Sequence, residues 1–192
     1  MGKTMAQSEN LFMKSVYVLA FLVVGVIARA GMIAGELTRF PGVINELASP
    51  NRRYVARNVD SAEEPHHLLE IREVGTTDIV ASMRYSRFVD VLWSPDSAAL
   101  LVNDHAGSDF GRCFVFAVTE KPTRTDVGAL ILETFKDDRR LRESGHRYIE
   151  GTEWLDTRTL RVRVTGYCAS SRSGFEAWFS YILGESVKRL SR

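Results

Sequence analysis

Short runs of alternating apolar and polar residues, separated by turn-forming residues, fill the chain from residue 49 onward. This spacing places one face of a strand in a core and the other in water. The clearest run is at 160–164, where Leu160, Val162 and Val164 alternate with two arginines. The nine runs lie at residues 54–59, 68–74, 79–85, 89–93, 99–103, 112–119, 129–135, 160–167 and 175–183. They predict an all-β fold of antiparallel strands.

The runs also repeat as a group. A turn motif precedes a strand at three places, with the sequences Ser49-Pro50-Asn51, Ser94-Pro95-Asp96 and Leu155-Asp156-Thr157. Pro95 fits the first corner of a type I turn, and the side chains of Ser94 and Asp96 can bond nearby backbone amides. The two prolines are 45 residues apart, and Asp156 follows 61 residues after the second. A polar, exposed insert at 137–147 is expected to account for the longer interval, and a period near 45 is typical of propeller-type repeats.

The sequence VLWSPDS at residues 91–97, followed by LLVND at 100–104, resembles the blade motif of TolB-type and WD-repeat β-propellers. The resemblance extends over about residues 49–183 and is strongest at 93–104. It implies blade-like antiparallel hairpins. Ser97 stands where these families usually have glycine, and three repeats are fewer than the roughly four that close a propeller ring. We therefore expect an open or incomplete propeller-like sheet, or hairpins folded over as a sandwich.

An apolar block without charge occupies residues 16–28. It follows Lys14 and ends at Ala28-Arg29-Ala30, the small-x-small pattern of a secretory cleavage site. Thirteen helical residues cover roughly 20 Å, less than the ~30 Å hydrocarbon core of a bilayer. The block predicts a signal helix cleaved after Ala30 and export to the periplasm or the medium. An uncleaved membrane anchor is the alternative.

The domain organisation follows from these features. Residues 1–30 are expected to be the signal peptide, with Met13 as a possible true start. Residues 31–48 contain a Pro-Gly pair and are expected to be a linker or short helical piece. Residues 49–192 then form a single β domain, because a single core serves roughly 100 to 200 residues.

The charge balance bears on possible partners. The chain has 25 basic and 24 acidic residues, and cleavage after Ala30 leaves 22 and 23 in a mature chain of 162. Nucleic-acid binding needs a basic face or stripe, which this scattered charge does not provide. A nucleic-acid partner is therefore not expected, and membrane contact is expected only through residues 16–28 if they are retained.

Two cysteines, Cys113 and Cys168, follow the apolar block. In an oxidising compartment an even pair is more often a disulfide than a reactive thiol. Two independently buried thiols are the alternative. The pair is too small for a structural zinc site unless histidines join it, and the spacing of the histidines does not favour one. We expect a Cys113–Cys168 disulfide and no metal or cofactor.

The loop at residues 103–109, with the sequence NDHAGSD, concentrates polar groups. Its carboxylates and His105 could hold a divalent cation, and His105 with Asp104 and Ser108 could form a hydrolytic set. The sequence has neither a full calcium-loop spacing nor a Gly-x-Ser-x-Gly elbow. Trp178 falls on the polar face of its predicted strand, which indicates an interaction surface. The candidate binding residues are Asn103, Asp104, His105, Asp109 and Trp178.

These observations predict an exported, non-catalytic β-sheet module that binds a protein or a small-molecule ligand. Two alternatives stay open. One is a small periplasmic or secreted hydrolase that uses the loop at 103–109. The other is a structural subunit anchored in the membrane by residues 16–28.

Overall fold

The computed structural model describes residues 35–60, 66–168 and 171–191, which belong to one compact unit. The predicted signal helix at 1–30 lies outside these residues. The first strands are β1 (Thr38–Phe40), β2 (Glu46–Ala48), β3 (Tyr54–Asp60), β4 (His67–Glu73), β5 (Ile79–Tyr85), β6 (Val89–Trp93), β7 (Ala99–Asp104), β8 (Phe110–Ala117) and β9 (Thr123–Asp126). The helices α1 (Val127–Thr134) and α2 (Arg139–Arg142) follow, and then β10 (Ser144–Trp154), β11 (Thr159–Cys168), β12 (Ser171–Ile182) and β13 (Val187–Arg189).

The strands form three successive antiparallel meanders. The first meander, β2 to β5, is a separate four-stranded sheet. The second meander, β6 to β9, carries β1 along its β6 edge, and the third meander is β10 to β13. A short parallel pairing of β8 with β10 joins the second and third into one nine-stranded sheet. The fold is therefore all-β and mainly antiparallel, and its sheets do not close into a barrel.

The second meander is buried on both faces, because every residue of β7 is inaccessible or nearly so. Leu100 and Val102 point into a core shared with the first meander. Ala99 and Leu101 point the other way, into a core shared with the third meander and α1. The alternation predicted for β11 is confirmed, since Leu160, Val162 and Val164 are all fully buried in that second core. Successive side chains of a strand point to opposite faces, so the second meander can pack against a core on each side.

The predicted turn chemistry is confirmed at the first two repeats. In both turns a buried serine, Ser49 or Ser94, accepts a hydrogen bond from the backbone amide five residues ahead, at 3.0 Å and 2.9 Å respectively. In both turns the serine hydroxyl donates to the side chain two residues ahead, Asn51 or Asp96. The third turn uses Asp156, which accepts from the amides of Arg158 and Thr159 at 2.7 Å each.

Two tryptophans connect consecutive meanders in the same way. Trp93 Nε1 donates to the carbonyl oxygen of Leu47 in the first meander at 3.1 Å. Trp154 Nε1 donates to the carbonyl oxygen of Leu92 in the second meander at 3.3 Å. Each acceptor lies two residues before the serine of its own turn, so the contact between neighbouring meanders repeats along the chain together with the sequence motif.

The structure differs from the sequence prediction in two segments. Residues 129–135, predicted as a strand, lie mostly in helix α1, because the Asp126 side chain accepts from the amide of Ala129 and caps the helix. Its buried residues Val127 and Ile131 are four apart, which is helical spacing. The expected linker at 31–48 contains β1 and β2, each of three residues, where its residues are described. Strands this short have too little alternation to be recognised in sequence.

The expected insert at 137–147 is only partly an insert. It contains the four-residue helix α2, and from Ser144 onward it already belongs to β10. The extra length between the second and third repeats is supplied by the helical segment from α1 through α2. No helix among the described residues is long and apolar enough to cross a membrane.

The predicted disulfide is wrong. Cys113 is a free thiol, fully buried between the second and third meanders. Strand β10 lies between β8, which holds Cys113, and β11, which ends at Cys168. Strands two positions apart are separated by about 9.5 Å, more than the roughly 7 Å between Cα atoms that a disulfide can span. Burial raises the pKa of the Cys113 thiol to about 12.

Candidate functional site

The loop at 103–109 lies at one end of the strands, here called the histidine end. Strands β3, β5, β7 and β11 finish at this end, and β4, β6, β8, β10 and β12 begin there. The chain has four histidines, and all belong to this region. His67, His105 and His146 lie at this end, and His66 directly precedes β4. Three of the histidines face aspartates, at 2.5 Å within the first meander, at 2.9 Å within the second, and at 3.4 Å between the second and the third. The pairs are His67–Asp60, His105–Asp90 and His146–Asp109.

His105 belongs to a compact cluster with residues of β1 and β6. Its Nε2 lies 2.9 Å from Asp90 Oδ2, and its ring stacks on Phe88 with centroids 4.4 Å apart. Arg39 donates twice to the same carboxylate, at 2.8 Å and 3.0 Å, and its guanidinium lies 4.1 Å from the Phe88 ring centroid. The cluster therefore joins the edge strand β1 to the 103–109 loop.

Asp90 is the charged centre of this cluster. Burial by itself would raise the pKa of its carboxyl. The hydrogen bonds from His105 and Arg39 outweigh burial and lower that pKa to about 2. Asp90 is thus ionised at neutral pH and balances charge within the cluster, as expected for a residue with a structural role.

Asp104 is the most unusual polar group of the loop. Its side chain lies on the same face of β7 as Val102, towards the first meander, and the residue is 6% exposed. Its Oδ1 is buried and has no hydrogen-bond partner among the described residues. Burial raises the pKa of Asp104, and the positive charges of Arg112 and His105 oppose that rise. Arg112, the cross-strand neighbour of Asp104 on β8, is the positive charge that most favours ionisation of this carboxyl.

The remaining loop residues have structural partners. Asn103 Nδ2 donates to the carbonyl of Gly151 and Asn103 Oδ1 accepts from the Gly151 amide, both at 2.8 Å. Ser108 Oγ donates to Asp109 at 3.1 Å, and not to His105. The loop therefore lacks the serine–histidine contact that a hydrolytic set requires. Among the described residues no group of three or more metal-ligating side chains converges, so Asp104, His105 and Asp109 do not form a cation site.

The structure places Trp178 away from the loop, in the middle of β12 on the outer face of the third meander. Its Nε1 donates to Glu176 Oε1 at 2.9 Å, and the Arg161 guanidinium lies 5.1 Å from its ring centroid. Arg161 in turn pairs with Glu153 at 2.7 Å. The sequence placed Trp178 on the correct face of its strand, but the structure does not bring it to the other candidate binding residues.

A cleft beside the loop has no counterpart in the sequence analysis. It is about 370 Å³ in volume and opens where β10 and β9 leave the same edge of β8. Helix α1 emerges from β9 into this gap. The cleft is lined by Phe110, Gly111, Arg112, Asp126, Gly128, Ala129, Leu132, Arg147 and Ile149. Ligand pockets in proteins typically have volumes of about 300–1,000 Å³, so the cleft has the size of a small-molecule site.

Glycine at residue 128 sets the width of this cleft. A Cβ atom at Gly128 would lie 3.0 Å from Ile149 Cδ1 and 3.2 Å from Asp126 Oδ1. A larger residue at 128 would require the Ile149 side chain or the start of α1 to shift by a few tenths of an ångström. The sequence contains one indication of this helix start, an N-cap residue at Asp126 with a glycine two positions later. The prediction of a strand at 129–135 left that indication unused.

Comparison with protein-family models and with curated proteins finds no match to this chain. The fold defines the class of protein as an all-β domain of packed antiparallel meanders. Its cleft at the histidine end is large enough for a small molecule.

Proposed function

We propose that this protein is an exported, non-catalytic binding module and that the cleft at the histidine end holds its ligand. The observation that carries the proposal is an open cleft of about 370 Å³ between α1, β8 and β10 with two arginines in its lining. Rigid strands on two sides fix its shape, which reduces the entropy cost of binding. Export is supported by the sequence of residues 14–30.

Binding is favoured over hydrolysis by the partners of the loop side chains. His105 Nε2 is held by Asp90, and the Ser108 hydroxyl donates to Asp109. A general base needs to reach the proton of its nucleophile, and this pair does not meet. The resemblance to propeller blades is likewise a proposal, supported by the 45-residue interval between the first two turns and by the repeated tryptophan contact.

The binding proposal is tested by a fragment screen. Mixtures of small neutral, cationic and anionic fragments are added to the purified full chain, and binding is mapped by protein-observed NMR. We expect shift changes that cluster at the cleft and disappear in Ala129→Trp, which fills the cleft from the exposed surface of α1. Thr134→Trp, an exposed position on the same helix outside the cleft lining, is the matched control and should bind as the parent does. A screen with no fragment in the cleft contradicts the proposal.

Export is tested separately. N-terminal sequencing of the protein recovered from the periplasm or medium is expected to begin at Gly31. Recovery only from the cytoplasm contradicts export, and a membrane-bound form that retains residues 16–28 supports the anchored alternative in its place.

A further inference from the structure

We infer that the ligand of the cleft is a small amphipathic monoanion, whose anionic head lies between Arg112 and Arg147 and whose apolar body lies on Phe110, Leu132 and Ile149. The inference rests on the proposed function and adds the chemical class of the ligand.

Two arginines line the cleft without an ion pair to a carboxylate among the described residues, although Asp104 is the cross-strand neighbour of Arg112 and interacts with its charge. Arg112 is exposed and makes no hydrogen bond or ion pair in the described part of the chain, and its guanidinium lies 5.1 Å from the Phe110 ring centroid. Arg147 is half-buried and uses Nη1 to donate to the carbonyl of Leu141 at 2.7 Å. The other donors of both guanidinium groups are available to an anion. Arginine is the side chain best suited to hold a planar carboxylate.

The cleft contains one acid, Asp126, and that acid already has a structural partner. Its Oδ1 accepts from the amide of Ala129 at 2.8 Å as the N-cap of α1. The lining therefore carries two positive charges and one negative charge, which favours a monoanion. Asp104 is the other acid near Arg112, but it does not line the cleft and burial raises its pKa. Asp126 also accepts from an amide in the first turn of α1, so that amide is not available to a ligand. The arginines, and not the N-terminus of α1, therefore define the position of the anion.

The remaining lining is apolar. Ile149 is 4% exposed and forms the floor, and Leu132 is half-buried on α1. Phe110 is 41% exposed at the mouth, which is unusual for a large aromatic side chain in this fold. Covering such a surface with an apolar ligand body is favourable by about 25 cal/mol per Å². An anionic head and an apolar body together use every part of the lining.

The test uses three eight-carbon probes that differ only in the head group: octanoate, 1-octanol and octylamine. Each is titrated into the full chain below its aggregation concentration, and binding is followed by NMR shifts of residues around Ile149. We expect octanoate to bind at least about tenfold more tightly than 1-octanol, since hydrogen bonds between arginine and a carboxylate are strengthened by the charges of both groups. Octylamine should bind most weakly.

Substitutions of the two arginines test where the carboxylate of octanoate binds. Arg112→Gln and Arg147→Gln should each weaken octanoate binding about tenfold or more and leave octanol binding unchanged. Arg124→Gln, an exposed arginine of β9 outside the cleft lining, is the matched control. Because Arg147 also bonds the Leu141 carbonyl, Arg147→Lys, which keeps the charge, and thermal unfolding of each variant separate a binding defect from a folding defect.

The outcomes distinguish this inference from the proposed function. Equal binding of octanoate and octanol, or octanoate binding that both glutamine variants leave intact, overturns the monoanion inference. If neutral or cationic fragments still occupy the cleft in the NMR screen, the binding function stands and only the ligand class is wrong. If no fragment binds and octanoate does not bind, both are wrong.

Discussion

At the scale of single residues, the polar loop at 103–109 shows how buried groups acquire structural roles. Asn103 forms two hydrogen bonds with the backbone of Gly151 and so joins β7 to β10 across a buried gap. A Cβ at Gly151 would lie 2.5 Å from Leu101 Cδ1, so this close approach requires glycine. Asn103 and His105, which the sequence singled out for binding, therefore stabilise the histidine end, and Arg112 and Arg147 offer donors to the cleft.

The clearest residue-scale prediction concerns Asp90→Asn. Asp90 has a folded pKa of about 2 against an ordinary value of 3.8. Its stabilisation is therefore present above about pH 4 and lost as pH falls towards 2. At pH 7 we expect Asp90→Asn to lower the free energy of unfolding by on the order of 2 kcal/mol. Urea denaturation between pH 7 and pH 2 measures the difference, which should shrink at acid pH.

The control for this prediction is Asp137→Asn. Asp137 is exposed and lies in the turn after α1. At each pH in this range, Asp137→Asn should have the same urea midpoint as the parent protein. Equal midpoints for the two variants at pH 7 would show that the Asp90 cluster does not stabilise the fold.

At the scale of elements, the two Ser-Pro turns have the same hydrogen bonds but different residues at their fourth position. Arg52 and Ser97 both adopt the left-handed conformation, with φ of 59° and 66°. This conformation costs an ordinary residue roughly 1–2 kcal/mol. Ser97 compensates with a hydrogen bond, because its Oγ accepts from the amide of Asn51 at 2.9 Å. Arg52 is exposed and has no such compensation.

Glycine should therefore act oppositely in the two turns. Arg52→Gly is expected to raise the free energy of unfolding by about 0.5–1 kcal/mol, since relief of strain exceeds the entropy cost of glycine. Ser97→Gly is expected to lower it by up to about 1 kcal/mol, because the loss of the buried Ser97 hydroxyl, which accepts from the Asn51 amide, costs more than the relief of strain returns. Thermal and urea unfolding of the two variants provide the comparison. The same sign of change in both turns would contradict this account of Ser97.

At the scale of the whole molecule, three meanders are held together by packing and hydrogen bonds without a covalent link between Cys113 and Cys168. The second meander acts as the middle layer and contributes to both hydrophobic cores. Trp93 of the second meander donates to the first meander, and Trp154 of the third meander donates to the second. The two hydrogen bonds lie at equivalent positions of the repeat. Stability should therefore depend on both inter-meander interfaces.

This arrangement predicts that reductant has no effect on stability. Because Cys113 is free and fully buried, the urea midpoint of the monomer should be the same with and without a reducing agent. The Cys113 thiol should react with an alkylating reagent only as the protein unfolds, since the thiolate is the reactive form and its pKa is about 12. Mass spectrometry of peptides after alkylation in native buffer checks the second part. A midpoint that falls on reduction would require a disulfide within the chain.

The sequence by itself determined eight of the thirteen described strands, the turns and the repeat. Eight of the nine predicted runs lie in strands, because period-two alternation is a local consequence of facing one core. The sequence did not reveal β10 as a strand, because glycine occupies position 151 where a large apolar residue would complete the alternation. It missed α1 because four consecutive apolar residues fit either a buried strand or a helix until the cap at Asp126 decides between them.

Only the tertiary structure decided the site. Arg112 and Arg147 are 35 residues apart in sequence, and both line the cleft because β8 and β10 pair in parallel for two residues and then diverge. No local pattern encodes where two strands separate. The same reasoning explains the cysteines, since only the strand order places β10 between them. Alternation and turn chemistry act over a few residues and can be read from sequence, whereas a cleft depends on contacts between distant strands.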